Sequence, residues 1–276
     1  MAEITAAAVK ALRDRTQLPM MKCKKALQDA GGDQDAAVEM LRKEGEKFSE
    51  SRGDRETSAG RVEIFADTSA SAGAIIELQC ESDPVAKNDE VRDLCRAMAK
   101  QLATGPGASS PDDLLGQDNP SKPGETLKDT LNDITNRIRE VFRLARIQRV
   151  EGGCGGYAHH TGATGVLVQV EGGNDEAAKD VAMHIAAMKP SVVNKEDLPA
   201  DAVARERDIL KEAARKEGKP ENILEKMVEG RMRTYYEQQV LNEQKFVKDD
   251  AQTVGKFASA NGMKVNSFIC WDLGRE

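Results

Sequence analysis

Gly73-Ala-Ile-Ile-Glu-Leu-Gln-Cys-Glu-Ser-Asp83 returns later in the chain, in the same order of residue types, as Gly165-Val-Leu-Val-Gln-Val-Glu-Gly-Gly-Asn-Asp175. The register holds beyond the acid, because Ala86-Lys87 falls on Ala178-Lys179. Each copy is a glycine-led apolar run of strand length that ends at an acidic residue and passes into a helical pattern. Leu94, Met98 and Leu102 carry that pattern in the first copy; Val181, Ile185 and Met188 carry it in the second. Upstream, Arg61-Val-Glu63 and Arg149-Val-Glu151 are read as opening the strand that hairpins into each glycine-led one. Any two hairpins followed by helices share such a pattern, but the fixed acid and Ala-Lys positions favour a duplication. The fold class that follows is α+β, with antiparallel sheets covered on one face by helices.

Outward from this repeat, residues 1–46 read as a three-helix head. Thr5 caps the first helix, with Ile4 and Val9 as a hydrophobic staple and Leu12 on the same face. Pro19 opens the second, where Cys23, Ala26, Leu27 and Ala30 recur at helical spacing, and Gly31-Gly32 stop it. Asp33 caps a third that carries Val38 and Leu41 and is predicted to end at Gly45. Residues 47–60 are mostly polar and read as a linker. Residues 61–140 and 141–276 form the two core units, and the proline- and glycine-rich stretch 104–124 is predicted to be a surface loop. Within the second unit, about 200–238 reads as an inserted antiparallel helical hairpin. Its limbs meet at Gly218-Lys-Pro220 and face each other through Val203, Leu210, Ile223, Leu224, Met227, Val228 and Tyr235. A short helix over 253–260, a stop at Asn261-Gly262 and a last strand over 264–273 complete the chain.

The 276 residues carry 40 Lys+Arg against 47 Asp+Glu, a net charge of −7, with 39% hydrophobic and 4% aromatic residues. The acidic balance and scarce aromatics argue against broad nucleic-acid binding. No apolar run approaches the ~18 residues of a membrane span, and the start of the chain lacks the pattern of a secretory signal. Cys23, Cys80, Cys95, Cys154 and Cys270 are dispersed without a C-x-x-C pair, so neither a disulfide framework nor a zinc site is expected. A cytoplasmic protein of a reducing compartment is the expectation.

No P-loop, H-E-x-x-H or G-x-S-x-G motif is present. Gly152-Gly-Cys-Gly-Gly156 leads from strand to strand, which suits a hairpin better than a phosphate loop. Cys154 with His159 and His160 would be the material of a thiol or metal enzyme, but adjacent histidines in a strand point to opposite faces. Arg137, Arg139, Arg143, Arg146 and Arg149 could touch RNA; with Phe142 the lone aromatic among them, a solvated helix face leading into a strand is the plainer reading. His184, set among Ala182, Met183 and Ile185, reads as a core-edge histidine. The chain therefore offers binding surfaces rather than a reaction centre, with no metal or cofactor expected.

Several ordered blocks resemble one family, translation elongation factor Ts, the guanine-nucleotide exchange factor for elongation factor Tu. They are Leu12-Arg-Asp-Arg-Thr16 with Met20-Met21 and Cys23-Lys-Lys-Ala-Leu27; Cys80-Glu-Ser-Asp-Pro-Val-Ala-Lys87; Ala182-Met-His-Ile-Ala-Ala187 with Lys189-Pro190; and Gly218-Lys-Pro220 through Met232. The resemblance implies a ubiquitin-associated-like head that grips the GTPase domain, two related core subdomains and a projecting helical arm. It implies that the partner is elongation factor Tu, GDP-bound and nucleotide-free, and leaves a homodimer or a 2:2 complex open. By residue, Arg13, Met20 and Met21 would contact the GTPase domain, Ser82, Asp83, Pro84 and Val85 would disturb its Mg²⁺ side, and His159 would lie on the Tu-facing surface. Lys22 stands where the family usually has an acid. Ser82 and Pro84 replace the family's threonine and phenylalanine, and a phenylalanine would bring roughly 150–250 Å² of apolar surface that proline lacks. The alternative is therefore a Tu-binding relative with weakened exchange.

Overall fold

The computed structural model describes residues 4–51, 55–217 and 221–275. Helices α1 (Ala6–Thr16), α2 (Met20–Asp29) and α3 (Gln34–Ser51) form the head. The first core unit holds β1 (Ala59–Phe65), β2 (Ala72–Cys80), α4 (Asp83–Ala86), α5 (Asp89–Thr104), α6 (Pro111–Leu115), α7 (Leu127–Ile138) and β3 (Phe142–Glu151). The second holds β4 (Cys154–Ala158), β5 (Thr164–Gly172), α8 (Asp175–Met188), α9 (Ala200–Lys216), α10 (Glu221–Gln239), β6 (Lys245–Phe246), β7 (Asp249–Thr253), α11 (Val254–Ala260) and β8 (Met263–Asp272). The fold is α+β, as the sequence implies.

Val9, Leu12, Leu18, Cys23, Leu27 and Leu41 make the small core of the head. Thr5 accepts a hydrogen bond from the Ala8 amide, and Asp33 Oδ1 from the amides of Asp35 and Ala36, as their capping roles require. The third helix does not stop at Gly45, and the predicted linker over 47–60 is shortened at both ends, by α3 and by β1. Gly45 instead lets α3 lie close on α7. A Cβ there would come within 3.1 Å of the Asn136 side chain, whose Nδ2 donates to the Leu41 carbonyl at 2.9 Å. Phe48 lies among residues whose side chains fall outside the description.

Two antiparallel sheets, ordered β1-β2-β3 and β4-β5-β8, carry the duplication. A constant shift of 92 positions takes Val62 to Cys154, Gly73 to Gly165 and Ile75 to Leu167. Hairpin register is preserved under it, Ala59↔Cys80 and Val62↔Glu77 corresponding to the β4–β5 pairing. So is a register slip in the outer ladder, after Glu77 in one sheet and after Gln169 in the other. The match of Arg61-Val-Glu63 to Arg149-Val-Glu151 fails: Arg149 and Glu151 close β3, which pairs with β2 in the first sheet. Strand β3, beyond position 140, thus belongs to the first sheet, and its apolar residues Phe142 and Leu144 cover the first core beside α5 and α7.

The sheets meet face to face over Val62, Ile75, Cys154 and Leu167, with Ile64, Val150, Ile269 and Trp271 around them. Glycine permits the approach reciprocally. A Cβ on Gly73 would strike Cys154 at 2.6 Å and Leu167 at 3.1 Å; one on Gly165 would strike Val62 at 2.4 Å and Ile75 at 3.5 Å. Gly156 faces its own counterpart, Ile64, at 2.3 Å. Glu77, buried in β2, accepts from Arg146 Nε and Nη2 at 2.9 and 2.7 Å; Arg146 also donates to the Asp272 carbonyl and stacks 4.3 Å over Trp271.

The stretch 104–124, expected to be a surface loop, contains α6, which buries Leu114 against the first core. Helices α9 and α10 pack together through Ala214, Leu224, Val228 and Met232, with Val203, Leu210, Met227 and Tyr235 half-buried. The Gly218-Lys-Pro220 turn and the Ile223 side chain lie outside the described residues. Val192 and Val240 bridge at the base of this arm, where the Leu241 amide donates to the Val192 carbonyl at 2.9 Å. Thr253 caps α11 and β8 follows, close to the predicted limits, while the small β6–β7 hairpin has no alternation in sequence to announce it.

Candidate functional site

Helix α4 is a single turn. Ser82 occupies its N-cap position, Asp83 opens it and Pro84 sits in its first turn, where an amide proton has no helical acceptor to find. Asp83 and Pro84 are exposed, and Val85 is half-buried against the first core. Asp83 pairs with Lys87 one turn on, at 3.4 Å. The equivalent segment of the second copy behaves differently. Asn174, the counterpart of Ser82, accepts from the Ala177 amide and caps an uninterrupted α8; Asp175, the counterpart of Asp83, accepts from the Thr68 amide and hydroxyl at 2.9 and 2.7 Å. In the first copy the helix breaks after one turn and starts again at Asp89 under an Asn88 cap. The repeats part company at the Ser82–Val85 segment.

The Ser82 hydroxyl makes no cap. It donates to Glu140 Oε1 at 2.6 Å, and the Ser82 amide donates to Glu140 Oε2 at 3.1 Å. Reciprocally, Glu81 Oε1 accepts from the Val141 amide at 2.9 Å. Cys80, next in the chain, has its thiol pushed up to about 11 by burial, which leaves it protonated and unreactive near neutrality.

Met20 and Met21 lie at the start of α2, 44% and 74% exposed, with Arg13 exposed on α1. Neither methionine is part of the head's core. Lys22 reaches Glu44 on α3 at 2.7 Å, and Arg139, the residue before Glu140, reaches the same Glu44 oxygen at 3.8 Å. The Lys22 contact holds the Glu44 carboxyl below its usual range. Arg139 takes a left-handed conformation, φ 66°, to end α7 and turn the chain into β3.

His159 follows β4 in the hairpin turn, half-buried, with Nδ1 2.7 Å from Thr161 Oγ1. His160 is beside it with ring centroids 4.2 Å apart; both residues lie past the strand, so the opposite-face expectation does not apply. Among the described residues no cluster of three or more His, Cys, Asp or Glu side chains is arranged to hold a metal. Cys154 is fully buried between the sheets, and burial pushes its thiol up, so it offers His159 no thiolate. Tyr157, His159 and Thr164 instead line an open groove of about 550 Å³ together with Met183, Val247 and Lys248.

Arg61 joins this turn to α4. It is buried, paired with Glu63 at 3.0 Å, and donates to the Ala86 carbonyl at 3.2 Å. The Gly162 carbonyl accepts from the Val62 amide at 2.8 Å, and Gly162 lies so close that a Cβ would strike Arg61 at 2.7 Å. The head, the Ser82–Val85 segment and the His159 turn are thus tied to one another by Glu44, Glu140 and Arg61. The sequence marked Arg61 only as part of a strand-opening triplet and did not single out Glu44 or Glu140, since each of the three acts on residues far away along the chain. The arginine run is dispersed: Arg137 pairs with Glu90 and Asp133, Arg146 with Glu77 and Arg149 with Glu151.

The elongation factor TS family model matches residues 81–275. The elongation factor Ts of Lactiplantibacillus plantarum is 41% identical over 279 residues, covering 99% of this chain and 93% of that protein. Those of Hydrogenobaculum sp. and Thioalkalivibrio sulfidiphilus are 38% and 36% identical, covering 96% and 98% of this chain and 97% and 92% of their own lengths.

Proposed function

Because the chain belongs to the elongation factor Ts family, we propose that it binds elongation factor Tu and accelerates the release of GDP, without covalent chemistry of its own. A GTPase of that class holds GDP by backbone contacts to the phosphates and by a bridging Mg²⁺. A partner that binds the nucleotide-free form more tightly than the GDP form weakens GDP by the same factor, so GTP can enter. In this reading Arg13, Met20 and Met21 dock on the GTPase domain; exposed methionines give a soft, adaptable contact. Ser82, Asp83, Pro84 and Val85 act at the Mg²⁺ side, and His159 with its groove holds a second surface of Tu. The observation that carries the reading is the divergence of the copies: Asn174 and Asp175 serve the fold, whereas Asp83 and Pro84 face solvent on a clamped turn.

Pro84 supports a second reading, a Tu-binding protein with weakened exchange, because its small exposed ring offers a partner less apolar surface than a phenylalanine. Release of fluorescent GDP from elongation factor Tu, with Mg²⁺ present and this protein titrated in, separates the two. Strong acceleration at substoichiometric amounts is expected. Binding without acceleration would select the second reading, which further requires that Pro84→Phe raise the rate.

A further inference from the structure

We propose that Glu140 is a positioning residue for exchange, holding the Ser82–Val85 segment in fixed relation to the head so that docking and displacement occur together. The inference rests on the exchange reading above. One carboxylate takes both donors of Ser82, at 2.6 and 3.1 Å, in the charge-assisted geometry that fixes orientation most firmly. The Glu81 carboxylate answers by accepting from the Val141 amide, so stretches 81–82 and 140–141 clasp each other from both sides. The clasp displaces the local alternative, since an N-cap serine left to itself would bond its own helix, as Asn174 does. Arg139 extends it to Glu44 and thence to Lys22, next to Met21. Glu140 and Ser82 are only half-buried, so water can replace the lost bonds, and the clasp is worth more to orientation than to stability.

The test is GDP release from elongation factor Tu driven by the full chain and by Glu140→Ala, Glu140→Gln, Ser82→Ala and the Ser82→Ala/Glu140→Ala double variant. Glu140→Ala is expected to lower the saturating release rate about tenfold, because small misplacements of an acting group are costly. The half-saturating concentration, set by docking, should move less than about twofold. Glu140→Gln keeps an acceptor and should recover most of the rate, and the double variant should be no worse than Glu140→Ala alone. Additive losses, or a rate and half-saturation that shift together, would overturn the proposal, as would an unchanged rate. Should Glu140→Ala melt early, Glu140→Gln and Ser82→Ala decide the same question. An inert wild-type chain would defeat the exchange reading itself and this inference with it, whereas an active wild type with an equally active Glu140→Ala defeats the inference alone.

Discussion

Gly165 has no room for a methyl group, and the neighbour in its way, Val62, is buried and stiff at χ1. Gly165→Ala should therefore cost about 1–3 kcal/mol, seen as a lower urea midpoint at unchanged slope. Adding Val62→Ala to that variant should recover part of the loss, because the clashing methyl is removed. His184 sets a pH limit on a second core, beside Phe246 under α8. Its Nε2 meets Gln244 Oε1 at 2.8 Å and its Nδ1 accepts from the Val247 amide at 3.2 Å, an arrangement open only to the neutral ring. Burial lowers its pKa from 6.5, so the unfolded chain binds the proton first. Stability is complete above that value and falls as pH drops below it, by at most about 1.4 kcal/mol per pH unit. Thermal melts at pH 7.5 and 5.5 should show this loss in the wild type and a smaller one in His184→Gln. At this scale the sequence marked Met20, Met21 and Ser82–Val85 through their motifs. Glu140 stayed hidden inside an arginine run, because its partner lies 58 residues away.

Among the elements, helix α3 shows why a glycine is an ambiguous stop signal. Gly45 has a helical neighbour waiting on its bare face, which no local pattern announces. Strand β3 was misplaced for a related reason: its closing Arg-Val-Glu repeats a local triplet, while its pairing is fixed by the core it covers. The arm was legible because amphipathic spacing acts within each limb. Its base is closed by the Val192–Val240 bridge, so it can loosen without opening either sheet. Met232→Ala should cost the arm about 2–5 kcal/mol, as for other large-to-small core changes. Hydrogen exchange should quicken in α9 and α10 and stay unchanged in β2 and β5; quickening throughout would show that the arm supports the core.

Across the whole molecule, Arg146, paired with Glu77 inside the first sheet, joins that sheet to β8 of the second through the Asp272 carbonyl, and the lone tryptophan, Trp271, reports on it. Removing Glu77 strips the half-buried Arg146 of its charge-assisted hydrogen bonds, so Glu77→Ala should cost about 1.5–3 kcal/mol. Denaturation followed by Trp271 emission and by far-ultraviolet circular dichroism should coincide in the wild type, and the emission change should come first in Glu77→Ala. The reciprocal glycines carry a different consequence. Gly73 meets Cys154 and Leu167, Gly165 meets Val62 and Ile75, and Gly156 meets Ile64, its own counterpart. This is the contact pattern of two identical subunits about a two-fold axis, written into one chain. In a true pair of identical subunits, every mutation is made twice, so a residue that caps a helix in one copy must cap it in both. A single gene holding both copies lifts that constraint. Asn174 could go on serving the architecture while Ser82 turned away from it, and asymmetry became heritable.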